Sequence, residues 1–177
     1  MPRRRRDVAP NSVVHVVNRG VERRELFSGS QDYDEFLGLL DRTRARVPVQ
    51  VLSYVLMPNH WHLVLWPDTC AELSQFLHYL TTLHAARLRH RSRTIGLGHV
   101  YQGRFRTSEV ATDRRYAHTI RYVEANPLRA NLVQRAEDWR WSSLTERVGT
   151  LRRIVDGPVR LAPSSEWVAI VNARRGT

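Results

Sequence analysis

The chain has 177 residues, 42% of them hydrophobic and 25% charged, which suits one domain with its own core and excludes a disordered tract. No apolar run approaches the roughly 18 residues that span a bilayer. Basic residues 3–6 have no apolar stretch behind them, so a signal peptide is not expected. Cys70 is the only cysteine, which rules out an intrachain disulfide and a cysteine-rich zinc site and fits a reducing cytoplasm. The formal net charge is +11, with arginine as the sole strong base. Such an excess attracts polyanions, nucleic acid being the commonest, and guanidinium groups add forked hydrogen bonds to phosphate.

Residues 12–18 (SVVHVVN) are rich in β-branched side chains and end at Arg19-Gly20, which predicts a first strand and turn. Beyond Ser30, Tyr33, Phe36, Leu37, Leu39 and Leu40 recur at helical spacing, with Asp32 and Asp34 in the first turn. Pro48 closes that helix. Residues 49–57 read as a buried strand, Pro58-Asn59 as a tight turn, and 60–66 as the hairpin partner. A second long helix is expected over 71–91, with Leu73, Phe76, Leu77, Leu80, Leu83 and Leu88 on its apolar side. A glycine-containing loop (92–103) and a short strand (107–111) follow. Asp113 is the expected cap of a third helix, carrying Tyr116, Ile120 and Val123 and stopping at Pro127. The order β-α-β-β-α-β-α implies an α+β fold, a ferredoxin-like or RRM-like antiparallel sheet with helices on one face. The tryptophan-rich tail wraps this unit, with Trp139, Trp141 and Trp167 as packing anchors.

Two segments carry chemistry. In Met57-Pro58-Asn59-His60-Trp61-His62, strand alternation points His60 and His62 one way and Trp61 the other. Two imidazoles spaced in this way can hold one divalent metal; otherwise one packs and the other is solvated. His15, in the first strand, is able to approach them. In Ile120-Arg121-Tyr122-Val123-Glu124-Ala125-Asn126-Pro127, Tyr122 and Asn126 share a helix face. Tyr122 is either an amphipathic core residue with its hydroxyl at the surface or a nucleophile, and Asn126 either a helix cap or a ligand. Taken together, a metal on two imidazoles and an amide oxygen, facing a phenol, suggests phosphoryl transfer through a covalent phosphotyrosine.

The HxH strand after Met57-Pro58-Asn59, the YxxxN-P helix end and Trp139-Arg140-Trp141-Ser142-Ser143 resemble the REP-associated tyrosine transposases. These belong to the HUH (His-hydrophobic-His) single-tyrosine transposases. The opening His15-Val16-Val17-Asn18-Arg19-Gly20 and the loop from Gly98 to Phe105 look like the same family, and the resemblance covers about residues 12–146. It implies a ferredoxin-like catalytic domain that depends on Mg²⁺ or Mn²⁺ and cleaves single-stranded DNA beside a palindromic hairpin. His60 and His62 map to metal ligands, Asn126 to a third ligand and Tyr122 to the nucleophile. Many relatives carry glutamine where this chain has the shorter Asn126. The implied partner is a repetitive-extragenic-palindrome hairpin, handled by a monomer or a homodimer in the bacterial cytoplasm, on the nucleoid when bound.

This reading divides the chain into a basic arm (1–11), a catalytic domain (12–135) and a C-terminal extension (136–177). Arg104 and Arg106 are expected to contact phosphate, with Asn18 and Arg19 beside them, and Tyr101 and Phe105 to stack on unpaired bases. Arg87, Arg89, Arg91 and Arg93 either join them or form a solvated helix end, and Arg3, Arg4, Arg5 and Arg6 can reach a groove. Two other readings stay open: a non-catalytic RRM-like module, and a metal-dependent phosphoesterase without a covalent intermediate.

Overall fold

The first strand, β1 (Val14–Arg19), alternates between buried and half-buried positions. The computed structural model describes residues 8–91, 98–149, 154–156 and 161–173. Val14 and Val16 go into one core, while His15, Val17 and Arg19 take the opposite face. Gly20 ends the strand where no side chain fits: a Cβ there would meet the carbonyl oxygen of Arg24 at 2.2 Å.

Helix α1 (Ser30–Arg46) starts at Gly29, and the carboxylate of Asp32 accepts hydrogen bonds from Ser28 N and Oγ at 2.8 and 3.0 Å. Strands β2 (Gln50–Met57) and β3 (His60–Trp66) form the expected hairpin around Pro58-Asn59. The pairing register shifts between Val51 and Ser53, so an extra residue changes the strand's parity. As a result Val51, Tyr54 and Leu56 enter one core, and Leu52, Val55 and Met57 the other. Helix α2 (Cys70–Arg91) begins with a capping box: Thr69 Oγ1 accepts from Glu72 N, and the Glu72 carboxylate accepts from Thr69 N.

Strand β4 (Arg106–Glu109) is shorter than expected and pairs with β1, giving a four-stranded antiparallel sheet of order β2-β3-β1-β4. This is the ferredoxin-like order. The α+β expectation holds, with α1 and α2 covering one face over a core that includes Phe36, Trp61, Leu63, Phe76 and Leu80. Helix α3 (Asp113–Glu124) lies on the other face, setting Ile120 and Val123 with Val55 and Val64. The helices therefore do not keep to a single face, and His60 and His62 share theirs with α3. Thr112, rather than Asp113, caps α3, its hydroxyl accepting from Arg115 N. The helix also ends earlier than expected: after Ala125 the chain continues as the short α4 (Asn126–Arg129), with Pro127 in its first turn.

The tail behaves as packing. Trp141 O accepts from Leu56 N at 3.0 Å, extending the β2 edge, and the indole of Trp139 donates to Leu56 O at 2.8 Å. Helices α5 (Ser143–Arg147) and α6 (Ser164–Asn172) close over α3. Among the described residues, no helix is long and apolar enough to cross a membrane.

Candidate active site

Alternation along β3 sends Trp61, Leu63 and Leu65 beneath α1 and α2, so His60 and His62 lie on the opposite face with their ring centroids 5.1 Å apart. Register sets Arg19 beside His60 and Val17 beside His62, which makes His15 a diagonal neighbour of His62.

The hydrogen bonds define which ring nitrogens are available. Asn59 Nδ2 donates to Arg23 O at 3.3 Å, which turns Asn59 Oδ1 toward His60 Nδ1 at 2.7 Å. An amide oxygen only accepts, so His60 carries its proton on Nδ1 and keeps a lone pair on Nε2. His62 Nδ1 lies 2.9 Å from His15 Nε2, while its own Nε2 is buried with no hydrogen-bond partner among the described residues. A buried polar atom left unpaired in this way is costly unless something else completes it.

Ile120 and Val123 anchor α3 on the sheet, and Tyr122 between them turns to the histidines. Its ring stands nearly perpendicular to those of His62 and His15, with centroids 5.7 and 6.1 Å away. The Arg129 guanidinium lies 5.4 Å from the other ring centre of this contact, that of Tyr122. The structure thus brings Tyr122, His60, His62 and His15 together within one chain. For Asn126 it gives a different contact: Nδ2 donates to Tyr122 O at 3.0 Å, the bond of a helix-end cap.

Burial is the main reason that His15 and His60 are pushed down to about 4; Arg19 adds to the effect at His60. His62 is lowered well below the ordinary histidine value, first by burial and then by His15, His60 and Arg19. All three are neutral at pH 7, the form in which imidazole binds metal. His60 Nε2, together with His62 Nε2 in the tautomer protonated on Nδ1, would fit a divalent ion. Among the described residues no group of three or more His, Cys, Asp or Glu is arranged to hold one. A cation here would keep open positions, as in a catalytic rather than a structural site.

Beside the histidines, Val17, Asn18, Arg19, Gln102, Arg104 and Arg106 line a groove of about 370 Å³. Arg104 and Arg106 are exposed, and Arg106 pairs with Val17, on the histidine face. Asn18 is buried; its Oδ1 accepts from Arg19 N at 2.9 Å, and its side chain belongs to the α2 face of the sheet. Phe105 is half-buried in a second groove of about 780 Å³ against α2.

Tyr101 corrects the sequence reading. Its hydroxyl receives the indole N–H of Trp61 at 3.2 Å and meets His84 Nδ1 at 2.5 Å, and its ring is buried. It is a core residue whose hydroxyl is already engaged, rather than an exposed platform for a base. The basic cluster is also smaller than its composition suggests. Arg87 pairs with Glu35 at 3.6 Å, Arg91 with Asp32, and Arg89 donates to Gly98 O at 3.0 Å. Arg121 donates to Ile170 O at 2.7 Å and to Ala173 O. Arg3, Arg4, Arg5, Arg6 and Arg93 lie outside the described residues.

Sequence reasoning missed Glu124, which is wholly buried. It accepts from Ser143 Oγ at 2.6 Å, Arg147 Nε at 2.8 Å and Trp167 Nε1 at 2.7 Å. Its position two residues after Tyr122 gives no hint of those partners.

A solved structure described as a REP-associated tyrosine transposase bound to a REP hairpin resembles this chain, with a TM-score of 0.64 and 18% identity over 92% of this chain and 94% of that one. A putative transposase from Deinococcus radiodurans R1 aligns at 14% identity and a TM-score of 0.48, over 70% of this chain and 96% of its own. No curated protein matches at a significant level. The sequence profile of the family described as "Transposase IS200 like" matches residues 9–126, and the chain belongs to that family.

Proposed function

We propose that this transposase is a single-strand DNA endonuclease and strand transferase of the REP-associated tyrosine type, with Tyr122 as its nucleophile. The observation that carries the reading is the contact of Tyr122 with His62, whose buried Nε2 has no partner among the described residues. His60 and His62 would hold Mg²⁺ or Mn²⁺ through their Nε2 atoms. Asn126 Oδ1 is the remaining candidate for a third ligand, since its Nδ2 already bonds Tyr122 O. When bound, the ion supplies Lewis acidity at a non-bridging phosphate oxygen.

The residues of this chain do the rest. Arg19, Arg104 and Arg106 draw the strand along the groove beside the histidines. Tyr122 oxygen attacks phosphorus and loses its proton as the bond to the 3′ oxygen breaks. That oxygen takes up a proton and leaves as a 3′-hydroxyl, while the 5′-phosphate stays on Tyr122. A second 3′-hydroxyl reverses the step and rejoins DNA without hydrolysis. Phe105 can offer a ring face to an unpaired base. Since the tyrosine and both histidines meet within one chain, one copy suffices for cleavage. The substrate class is a REP-type hairpin, like the one the solved relative binds, here with a single-stranded flank and met in the cytoplasm.

A labelled hairpin with a single-stranded flank, incubated with Mn²⁺, tests this. The expected product is a denaturation-stable protein–DNA adduct, absent from Tyr122→Phe and His60→Ala. Cut DNA without an adduct favours a phosphoesterase, and binding without cutting favours a non-catalytic module.

A further inference from the structure

His15 belongs to no motif that accounts for its contact with His62. The facing nitrogens are 2.9 Å apart, the ring centroids 5.1 Å apart and the planes within 11°. Rings so nearly parallel, with nitrogens closer than their centres, lie edge to edge in about one plane rather than face to face. The shared proton therefore points along the acceptor's lone pair, the favoured line for a hydrogen bond.

We propose that His15 is a positioning residue: its Nε2 accepts the Nδ1–H of His62, which fixes the tautomer and plane of His62 and leaves Nε2 to coordinate the metal. This rests on the proposal that His60 and His62 hold a divalent cation. The opposite arrangement puts the proton on His62 Nε2, a buried atom with no acceptor, and blocks coordination there. Orphaned buried N–H groups are rarer than under-used acceptors, so burial already favours the first arrangement. The two metal-directed rings are then set alike, His60 by Asn59 Oδ1 at 2.7 Å and His62 by His15. Each donates from Nδ1 to a neutral acceptor.

That neutrality has a chemical consequence. Metal-bound histidines commonly donate to a carboxylate, which raises their basicity and lowers the net charge of the centre. Here the groups bonded to both rings are uncharged, and Arg19 stands next to them. These residues would leave a bound divalent ion its full charge toward the anionic phosphodiester.

The test is long-range ¹H–¹⁵N NMR on metal-free protein labelled at histidine, joined to Mn²⁺ titration followed by electron paramagnetic resonance. Wild type should show His62 protonated on Nδ1 and should bind Mn²⁺. His15→Leu should shift His62 toward Nε2–H and weaken Mn²⁺ binding about 10- to 100-fold, the usual effect of losing such a partner. His15→Gln, which restores an acceptor oxygen, should recover the tautomer and much of the affinity. Amide spectra report whether each variant is folded, and wild type alone already decides the tautomer. His62 carrying its proton on Nε2 in wild type overturns the proposal, as does a folded Leu variant that binds Mn²⁺ as well as wild type. Wild type that binds no Mn²⁺, whatever its tautomer, overturns the cation reading itself.

Discussion

The Glu124 carboxylate receives the indole N–H of Trp167 at 2.7 Å, which ties the helix of Tyr122 to the C-terminal helix α6. Arg147 reaches the other carboxylate oxygen at 2.8 Å and also donates to Leu52 O at 2.6 Å, so the same group joins α3 to α5 and β2. Removing one partner of a buried ion pair costs about 3–5 kcal/mol because the other charge is left uncompensated. Glu124→Ala should lose stability on that scale in urea denaturation. Trp167→Phe keeps most of the packing and should lose only about 1–3 kcal/mol for the missing hydrogen bond to a charged group.

Arginines on the histidine face differ from those on α2 in what already engages them. Arg104 and Arg106 are exposed beside the groove, while Arg87 and Arg91 pair with Glu35 and Asp32 of α1. Replacing Arg104 or Arg106 by Ala should lower the salt slope of single-strand affinity by about 0.7 each. Arg87→Ala should leave the slope unchanged. Fluorescence anisotropy across a salt series reads both.

Tyr101 and Phe105 differ in burial within one loop, the first buried and the second half-buried against the same core. Tyr101→Phe leaves Trp61 Nε1 and His84 Nδ1 unpaired inside the protein, a cost of about 1–3 kcal/mol for each group, with single-strand affinity unchanged. Phe105→Ala should instead weaken single-strand binding by about 1–3 kcal/mol. Equal effects of both substitutions on affinity would contradict this division.

Stability should fall in acid. Burial, helped by Arg87, pushes His84 from 6.5 down to about 3. The unfolded chain takes up this proton at the ordinary value, so between 6.5 and 3 it binds more protons than the folded state. The His84 contribution is intact above 6.5 and shrinks steadily as pH drops through that window; His15 and His60 act in the same sense down to about 4. Urea midpoints should decline from pH 7 to pH 4. His84→Gln should lower the midpoint at pH 7 and flatten the slope.

Local patterns made some of these features legible. Pro58-Asn59 between two apolar runs announced the hairpin, and period-2 alternation placed His60 and His62 on one face. That Tyr122 would meet them came from the resemblance, because spacing along α3 says nothing about which sheet face the helix covers. The Glu124 cluster was hidden because its partners, Ser53, Ser143, Arg147 and Trp167, come from β2, α5 and α6. Tyr101 misled because an aromatic in a basic loop reads as surface. The bridge between Gly20 and Tyr101 instead holds it against Trp61 and His84. Arg87 and Arg91 looked free because the acids that engage them sit on the distant α1.

The proposed cleavage makes one covalent bond, between the Tyr122 oxygen and a DNA phosphate. Protein trapped on a cleaved hairpin can be digested with trypsin and nuclease and its peptides sequenced by mass spectrometry. A 5′-linked nucleotide phosphate on Tyr122, and on no other residue, is the predicted result. A nucleotide on a different side chain, or cleaved DNA with every peptide unmodified, would contradict it.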